Sequence, residues 1–319
     1  MSRPRSPHPR RGTSGYRFAA PWLVGLVLLQ LGPMIAAAGL AMTTWDGLSD
    51  STLQWVGTKH FQGLPSDGLF SRALANSATY TAINVPAQLF AALGMALLVK
   101  QSRRHRGFWA TLYYLPHILG GVATILIWWW LFNPQVGPIN RAIGAVYGSV
   151  DGPLAALGLG TSRGWSLPPW LYSPAWAKPS VVIMNLWQAG AGMLIFLAAL
   201  LRGDDTVFEA AMLDGAGRPR RFWHVTLPLI SPAILFNVVT GVAFSMQAFA
   251  PAFLLQNWQQ QDSLLFYVLL IYRSAFELHR FGYAAALAWV LLAILIVFTG
   301  TLVFLTRRWV HYDFEEGTL

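Results

Sequence analysis

The chain alternates between long apolar stretches and polar connections. Six of the apolar stretches are at least about 20 residues long, which is what an α-helix needs to cross roughly 30 Å of hydrocarbon. None of the six contains Asp, Glu, Lys or Arg, and they occupy residues 18–42, 76–99, 108–132, 179–201, 232–255 and 281–306. The pattern predicts an all-α, polytopic membrane protein with six transmembrane helices between residues 18 and 306.

The distribution of basic residues predicts how these helices are oriented. Most of the 22 Lys and Arg residues lie before the first stretch, in the second and fourth connections and after the last stretch. Because basic loops remain on the cytoplasmic side, both termini are predicted to be cytoplasmic tails, at residues 1–17 and 307–319. The tail 1–17 has few apolar residues and is expected to be disordered.

Two segments allow alternative interpretations. The first stretch could be a cleavable signal peptide, because it follows a basic start and contains Ala36-Ala37-Ala38. Its apolar run is longer than the roughly 7–15 residues of a signal peptide, which favours a retained anchor. The connection at residues 133–178 predicts an extracytoplasmic loop without a long helix, since it is rich in Pro, Trp and Tyr. Its aromatic residues indicate an interfacial belt or a docking surface for an external protein.

The composition supports a membrane protein and excludes several site types. Of 319 residues, 55% are hydrophobic, 14% are aromatic and only 11% are charged. The net charge of +9 does not predict nucleic-acid binding, because the arginines cluster beside apolar stretches. The absence of cysteine rules out disulfides and thiolate metal sites. No metal site is expected.

The connection between the fourth and fifth stretches, residues 202–229, carries the signals of two short helices. Thr206 and Glu209 fit a capping box at a helix start. Gly215 allows a turn with positive φ, and Pro219 suits the first turn of a following helix. These residues predict a compact helix–turn–helix that projects into the cytoplasm. The alternative is a loop that packs on its own helical bundle, with Glu209 acting only as a cap.

The same connection contains Glu209-Ala210-Ala211, then Gly215 six residues after the glutamate, then Leu227-Pro228. This spacing resembles the EAA loop of bacterial ABC importer permeases. Over about residues 15–315 the chain is similar to the sugar-importer permeases of the binding-protein-dependent ABC class, of the maltose and glycerol-3-phosphate type. The other segments that carry this resemblance are residues 114–116, 127–134, 137–140 and 282–286.

The resemblance implies a type I permease core with a cytoplasmic EAA coupling helix and no catalytic function of its own. In such importers two permeases form a heterodimeric pathway, an ATPase dimer binds their EAA helices, and an extracytoplasmic solute-binding protein delivers the sugar. ATP and Mg would be bound by the ATPase, so this chain would need no cofactor. The residues to which the resemblance assigns ATPase coupling are Glu209, Ala210, Ala211, Asp214, Gly215, Ala216, Gly217, Leu227 and Pro228.

The sequence itself excludes ATP binding through a P-loop. That motif needs a Gly-rich loop ending in Lys followed by Ser or Thr, so that backbone N–H groups and the lysine hold the phosphates. The lysines of this chain are Lys59, Lys100 and Lys178, and they are followed by His, Gln and Pro. The ATPase is therefore predicted to be a separate chain.

Polar side chains inside the apolar stretches mark contacts between helices or a substrate pathway. Asn84 and Gln88 are examples, and most such residues simply bond to a neighbouring helix. In the resembled maltose-type permeases the sugar contacts come from the spans on either side of the EAA loop. The residues of this chain predicted on the pathway are Asn185, Gln188, Ala189, Thr240, Ser245, Gln247 and Phe249. Their uncharged amide and hydroxyl groups suit a neutral polyol.

Two other functions are compatible with parts of the sequence. A permease of the same architecture could carry glycerol-3-phosphate or another anionic solute, but no Arg or Lys lies within the apolar stretches to face such a solute. A polytopic membrane enzyme would need acids, His or metal ligands clustered at one membrane face. The cluster that comes nearest to this is Asp204, Asp205, Glu209, Asp214 and His224. Carbohydrate import across the cytoplasmic membrane is the predicted function.

Overall fold

A computed structural model describes residues 14–102, 104–156, 167–202 and 205–307 of the protein. The described residues are almost entirely helical, which confirms the predicted fold class. The helices, in chain order, are α1 (Ser14–Gly25), α2 (Gly32–Leu40), α3 (Lys59–Gly63), α4 (Gly68–Gln101), α5 (Arg106–Ile118), α6 (Gly121–Leu131), α7 (Pro138–Ala156), α8 (Pro174–Leu186), α9 (Gly190–Arg202), α10 (Asp205–Leu213), α11 (Arg218–Arg221), α12 (Leu227–Leu229), α13 (Ser231–Met246), α14 (Ala250–Leu255), α15 (Tyr267–Tyr272) and α16 (Phe281–Thr306). Short π and 3₁₀ segments join some of them.

The chain forms two compact units. The described part of the first lies within residues 1–64 and 271–290, and the described part of the second lies within residues 65–270 and 291–319. In the first unit, the π-helical segment Leu26–Leu31 joins α1 and α2 into one apolar stretch. Pro33, at the start of α2, has no N–H for the preceding turn, which accounts for the wider π geometry there. Helix α1 begins at Ser14, inside the predicted tail, whose residues 1–13 lie outside the described residues.

In the same unit, the first turn of α16 lies close to the loop that follows α2. A Cβ atom at Gly282 would be 2.9 Å from the carbonyl carbon of Thr43, so only glycine permits this approach. The ring of His60 packs edge-on against Tyr283, with 5.9 Å between centroids, and its Nε2 lies 2.9 Å from the Thr43 carbonyl oxygen. Gly282 is therefore required by the close packing of α16 against the main chain of Thr43.

The second unit is organised around α4, a helix of 34 residues. It begins at Asp67, whose carboxylate accepts hydrogen bonds from the N–H groups of Leu69 and Phe70, as an N-cap should. Helices α8, α9 and α13 pack along it. Small residues make the closest approach possible: a Cβ at Gly192 of α9 would lie 3.2 Å from the Cβ of Ala92. The core of this unit is therefore a bundle with one central helix.

Three of the six predicted spans are continuous helices and three are bent. The continuous ones are Phe18–Leu40, Gly68–Gln101 and Phe281–Thr306. The bent ones are the helix pairs α5 and α6, α8 and α9, and Arg218–Leu229 with α13, with bends of 90°, 50° and 67°. Counting each bent pair as one span gives the predicted six. At the 90° bend Gly120 has φ of +67°, a conformation that glycine adopts without strain.

The fifth span and the longest connection differ from the prediction. The predicted fifth span, residues 232–255, is interrupted: α13 ends at Met246 and a separate short helix, α14, starts at Ala250. Pro251 lacks the N–H that would continue α13 past this point. The sequence predicts no long helix in the connection 133–178, yet this connection contains the 19-residue helix α7. Its Pro138 stands in the first helical position, where proline is favoured.

Candidate functional site

Residues 205–229, here called the EAA segment, form two helical parts joined by a tight turn. The first part is α10, and the second runs from α11 through the π-helical Phe222–Thr226 to α12. Pro219 lies in the first turn of the second part, as predicted. Helix α10 begins at Asp205, so Thr206 lies inside its first turn and is not the N-cap that the capping box required. Gly203 and Asp204 lie outside the described residues.

The turn between the two parts explains the spacing from Glu209 to Gly215. The N–H of Ala216 donates to the carbonyl oxygen of Ala211, and the N–H of Gly215 donates to that of Met212, both at 3.0 Å. Gly215 has φ of +74°. These bonds define a Schellman motif, in which a left-handed residue ends a helix by satisfying its last free carbonyl groups. The glycine is therefore required by the backbone conformation, since a Cβ there would meet nothing within 4 Å.

Most described side chains of the EAA segment are exposed or half-buried. Glu209 and Ala210 are exposed and Ala211 is half-buried. Leu213 is 91% exposed, with Met212 also exposed beside it. The predicted coupling residues that follow are exposed or half-buried: Asp214, Ala216, Gly217, Leu227 and Pro228. A segment that packed only on its own bundle would bury these apolar side chains, so the exposure argues against that alternative.

The predicted pathway residue Asn185 lies near the end of α8, next to the break before α9. Its side-chain amide donates to the hydroxyl of Tyr80 on α4. Its main-chain oxygen accepts hydrogen bonds from the Gln88 side chain at 2.8 Å and from the N–H of Gln188 at 2.9 Å. The break frees carbonyl groups at the end of α8, and a neighbouring helix satisfies one of them, as membrane interiors require. Ala189, inside the break, is buried.

Ser245 is a second predicted pathway residue that bonds to α4. Its hydroxyl accepts a hydrogen bond from the Asn84 amide at 2.9 Å, and both residues are buried. Thr240 and Gln247 instead donate to carbonyl groups of their own helix, at 2.7 and 3.0 Å. Phe249 stacks on the ring of Phe253, with 5.2 Å between centroids. The structure thus joins the side chains of Asn185 and Ser245 to α4, whereas the hydrogen bonds found for the side chains of Thr240 and Gln247 stay within α13.

That helix carries a polar stripe, defined here as Asn76, Tyr80, Asn84 and Gln88. The members are four residues apart, the spacing that places side chains along one ridge of an α-helix. Asn84 and Gln88 stand out in the sequence as polar residues of a span, whereas Asn76 and Tyr80 were missed, although the four-residue spacing was available as a signal. The Asn84 Oδ1 atom is buried without a hydrogen-bond partner among the described residues. The stripe therefore retains an unused acceptor within the bundle.

A cavity of about 310 Å³ lies in the first unit and was not evident from the sequence. It is lined by Thr44, Trp45, His60, His279, Arg280, Gly282 and Tyr283. His279 adopts a left-handed conformation with φ of +52°. The cavity therefore combines one arginine and two histidines with aromatic rings. Within the described ranges, no group of three or more His, Asp or Glu side chains could hold a metal ion.

The acids considered for a membrane enzyme are not gathered in a shielded site. Glu209 and Asp214 are exposed, and His224 bonds through Nδ1 to the carbonyl oxygen of Arg220 one turn before it, at 3.0 Å. Asp204 lies outside the described residues. Glu209, Asp214 and His224 therefore lie at the surface and do not form an enclosed site.

The bent spans, the polar stripe and the exposed EAA segment together define a multi-pass helical membrane protein of the transporter class. The chain belongs to the family of binding-protein-dependent transport system inner membrane components, whose family model matches residues 68–311. The match begins at the first residue of α4 and therefore leaves out the first span. Family membership confirms the resemblance that the spacing of the EAA segment indicated.

Individual relatives agree with this family. The chain is 31% identical to the probable ABC transporter permease protein YesP of Bacillus subtilis, over 95% of this chain and 93% of that protein. It is 28% identical to the lactose transport system permease protein LacF of Rhizobium radiobacter, covering 89% and 91% of the two chains. A chain of a bacterial alginate ABC transporter solved with a periplasmic protein has the same fold, with a TM-score of 0.74 at 22% identity over 92% and 93% of the two chains.

Proposed function

We propose that this chain is a permease subunit of an ATP-driven importer for a sugar or oligosaccharide. Relatives that support this substrate class are named as lactose, multiple-sugar and diacetylchitobiose transport permeases. The chain would form half of the translocation pathway as a heterodimer with a second permease. A solute-binding protein on the extracytoplasmic side would deliver the sugar, by analogy with the alginate transporter, which was solved in complex with a pentasaccharide-bound periplasmic protein. No nucleic-acid partner is proposed.

The single observation that carries the coupling part of this proposal is the exposed face of α10. Leu213, Met212 and Ala210 offer an apolar and small-residue surface that a single subunit leaves uncovered. An amphipathic helix of this kind is suited to a groove on another protein. The partner is an ATPase dimer that binds ATP and Mg, and this chain contributes no catalytic residue and no cofactor site.

The orientation of the chain follows from its basic residues. With Lys and Arg concentrated on the side of the EAA segment, the positive-inside rule assigns both termini and this segment to the cytoplasm. The protein is then a multi-pass component of the cytoplasmic membrane. An ATPase in the cytoplasm would meet α10 directly, while the binding protein would meet the opposite face.

The substrate pathway is proposed to run beside the polar stripe of α4. Asn185 and Ser245 both bond to residues of this stripe, from α8 and α13. Amide and hydroxyl groups can donate to and accept from sugar hydroxyls without a fixed charge. The Asn84 Oδ1 atom, which has no hydrogen-bond partner in the part of the chain that the structure describes, supplies an acceptor at the same level. Gln188, Ala189, Thr240, Gln247 and Phe249 remain predicted pathway residues.

The test is reconstitution in liposomes with the ATPase, second permease and binding protein encoded alongside this chain. ATP hydrolysis and uptake are measured for a panel of neutral mono-, di- and oligosaccharides, and we expect at least one sugar to stimulate both. Leu213→Asp should weaken ATPase binding and abolish stimulation. The matched control is Leu48→Asp, at a leucine that is also strongly exposed but lies outside the EAA segment. Failure of every sugar, or equal effects of the two variants, would contradict the proposal.

Import of an anionic solute is the second candidate, and the arginine in the cavity of the first unit favours it. Arg280 and two histidines line that cavity beside aromatic rings. A uronic-acid disaccharide belongs in the same uptake panel. If the solute is anionic, Arg280→Gln should reduce uptake of the uronate and leave a neutral sugar unaffected. If only neutral sugars enter, and the variant changes nothing, this candidate is eliminated.

A further inference from the structure

Lys100 lies at the end of α4, one residue before its last, and contacts three other helices. Its Nζ atom donates to the carbonyl oxygen of Leu200 on α9 at 3.0 Å. The same atom lies 4.8 Å from the centre of the Phe208 ring on α10. Its main-chain oxygen accepts a hydrogen bond from Arg106 of α5 at 3.4 Å. One residue therefore joins the central helix of the second unit to three of its neighbours.

The chemistry of each contact favours a lysine at this position. Leu200 belongs to the last turn of α9, where carbonyl groups lack helical partners and the helix dipole is negative. A cation is stabilised there, and an ammonium group also binds the face of an aromatic ring. The long stem of Lys100 lets a half-buried residue reach both partners at once. Neither contact was evident from sequence, because residues 100, 200 and 208 are far apart along the chain.

Phe208 is the inward-facing anchor of α10. It is half-buried, whereas the next two residues, Glu209 and Ala210, are exposed. The face of α10 that is free for a partner therefore lies directly beside the residue that contacts Lys100. A partner that displaces the exposed face of α10 would therefore also displace Phe208, which contacts the Lys100 ammonium group.

We propose that Lys100 is a positioning residue that couples α10 to the ends of α4 and α9, so that displacement of α10 moves the transmembrane helices that carry the polar stripe. This inference rests on the proposed function, because it assumes that a partner moves α10. Lys100 contacts no substrate and performs no chemistry. Its function is to keep the EAA segment attached to the bundle during each transport cycle.

The first test measures the attachment itself by double electron–electron resonance in the assembled transporter. Because this chain has no cysteine, spin labels can be introduced without background sites in it. Labels at Gln101→Cys and Val207→Cys, both exposed positions outside the surface proposed to bind the ATPase, report the distance from the end of α4 to α10. We expect a narrow distance distribution in the parent protein. Lys100→Met, which keeps the length of the side chain but removes its charge, should broaden it.

The second test measures whether motion of α10 reaches the other end of the bundle. Labels at Leu69→Cys and Trp258→Cys, also exposed, report the far end of the second unit. Addition of Mg²⁺, ATP and vanadate should change this distance in the parent protein. In Lys100→Met the ratio of responding to non-responding complexes should fall about fivefold, which corresponds to loss of about 1 kcal/mol of attachment. ATP hydrolysis should continue, because the ATPase itself is unchanged.

Three further variants separate coupling from simple stabilisation. Lys100→Arg keeps the charge and can stack on the ring, so it should retain most of the response. Phe208→Leu removes the ring contact that Lys100→Met also removes, so it should reduce the response and the double variant should be no worse than Lys100→Met alone. Lys59→Met makes the same chemical change at a lysine of α3 and should match the parent protein.

The outcomes decide between the inference and its alternatives. The inference is overturned if Lys100→Met responds like Lys59→Met, or if the losses from Lys100→Met and Phe208→Leu multiply. It is also overturned if Lys100→Met lowers only the yield of assembled transporter and leaves the response of each assembled complex intact. If Leu213→Asp uncouples the transporter while Lys100→Met does not, this inference alone fails. If neither variant has an effect, the proposed function fails with it.

Discussion

Replacement of Gly215 by alanine isolates the conformational requirement of the Schellman turn. Gly215 has φ of +74°, and a Cβ added there meets no atom within 4 Å. The substitution therefore introduces no clash, and its whole cost is backbone strain. An L-residue in the left-handed region costs roughly 1–2 kcal/mol. Alanine recovers about 0.4–1 kcal/mol by restricting the unfolded chain, which leaves a net loss of about 1 kcal/mol.

This loss should be local. Because 1.4 kcal/mol corresponds to a tenfold change in an equilibrium constant, about 1 kcal/mol should open the turn about fivefold more often. The amides of Gly215 and Ala216 donate the two bonds of the turn, so hydrogen–deuterium exchange of the peptide spanning residues 205–221 should accelerate by that factor. The melting temperature of the whole protein should hardly change, since local opening leaves the bundle intact. Sugar-stimulated ATP hydrolysis in the reconstituted complex should fall.

Different substitutions at Gly215 test whether the positive φ determines the effect. Asparagine tolerates the left-handed region better than alanine, and valine tolerates it worse, so exchange should accelerate in the order Asn, Ala, Val. Gly94→Ala is the matched control, because Gly94 lies inside α4 with open space around it. Alanine there should be neutral or stabilising by about 0.5–1 kcal/mol. The reasoning is refuted if exchange in Gly215→Ala is no faster than in the parent protein. It is also refuted if exchange is faster with Asn than with Ala. Either result would show that φ does not determine the opening of the turn.

Three other changes test the bundle. Gly190→Ala should lower the melting temperature, at a cost of about 1–3 kcal/mol in the free energy of unfolding, because its Cβ would lie 2.8 Å from Cα of Tyr114 on α5. Its control, Gly121→Ala, places a Cβ in open space and should not lower the melting temperature. Tyr80→Phe should cost about 1–3 kcal/mol in thermal unfolding, since it leaves the Asn185 amide without its acceptor. Asp262→Asn should change stability by less than about 1 kcal/mol, because its ion pair with an arginine is exposed.

The number of spans was predictable from the sequence, whereas their bends were not. A stretch of about 20 apolar residues without charge has to cross the membrane as a helix, whatever it packs against. The position at which such a helix is interrupted depends on a few backbone groups. Gly120 and Pro251 were visible in the sequence, but a glycine or proline inside a membrane helix is tolerated whenever neighbouring groups satisfy the freed backbone. Only the packed structure decides which of them interrupts a helix.

The predicted site residues divide in the same way. The EAA segment was predictable because its turn is local: Gly215 and the helix that it ends lie within one short stretch of chain. The pairing of Asn185 with Tyr80, and of Ser245 with Asn84, joins residues about a hundred or more positions apart. A single sequence shows that these side chains need partners in a membrane, but it does not show which partners they find.

Helix α4 connects the proposed coupling contact to the polar stripe, and its hydrogen bonds indicate where the bundle can open at least cost. At its start, Asn76 donates to the carbonyl oxygens of Asp262 and Leu265, and the neighbouring Ser77 accepts from a buried N–H. Further along, the Asn84 amide makes one bond, to Ser245, and its Oδ1 has no partner among the described residues. Each buried bond that breaks without replacement leaves a polar group unsatisfied in a medium that supplies no water. If α10 displaces the Lys100 end of α4, separating α4 from its neighbours at the level of Asn84 therefore breaks fewer hydrogen bonds than separating them at Asn76. A sugar hydroxyl that enters at the level of Asn84 can replace the hydrogen bond that is lost.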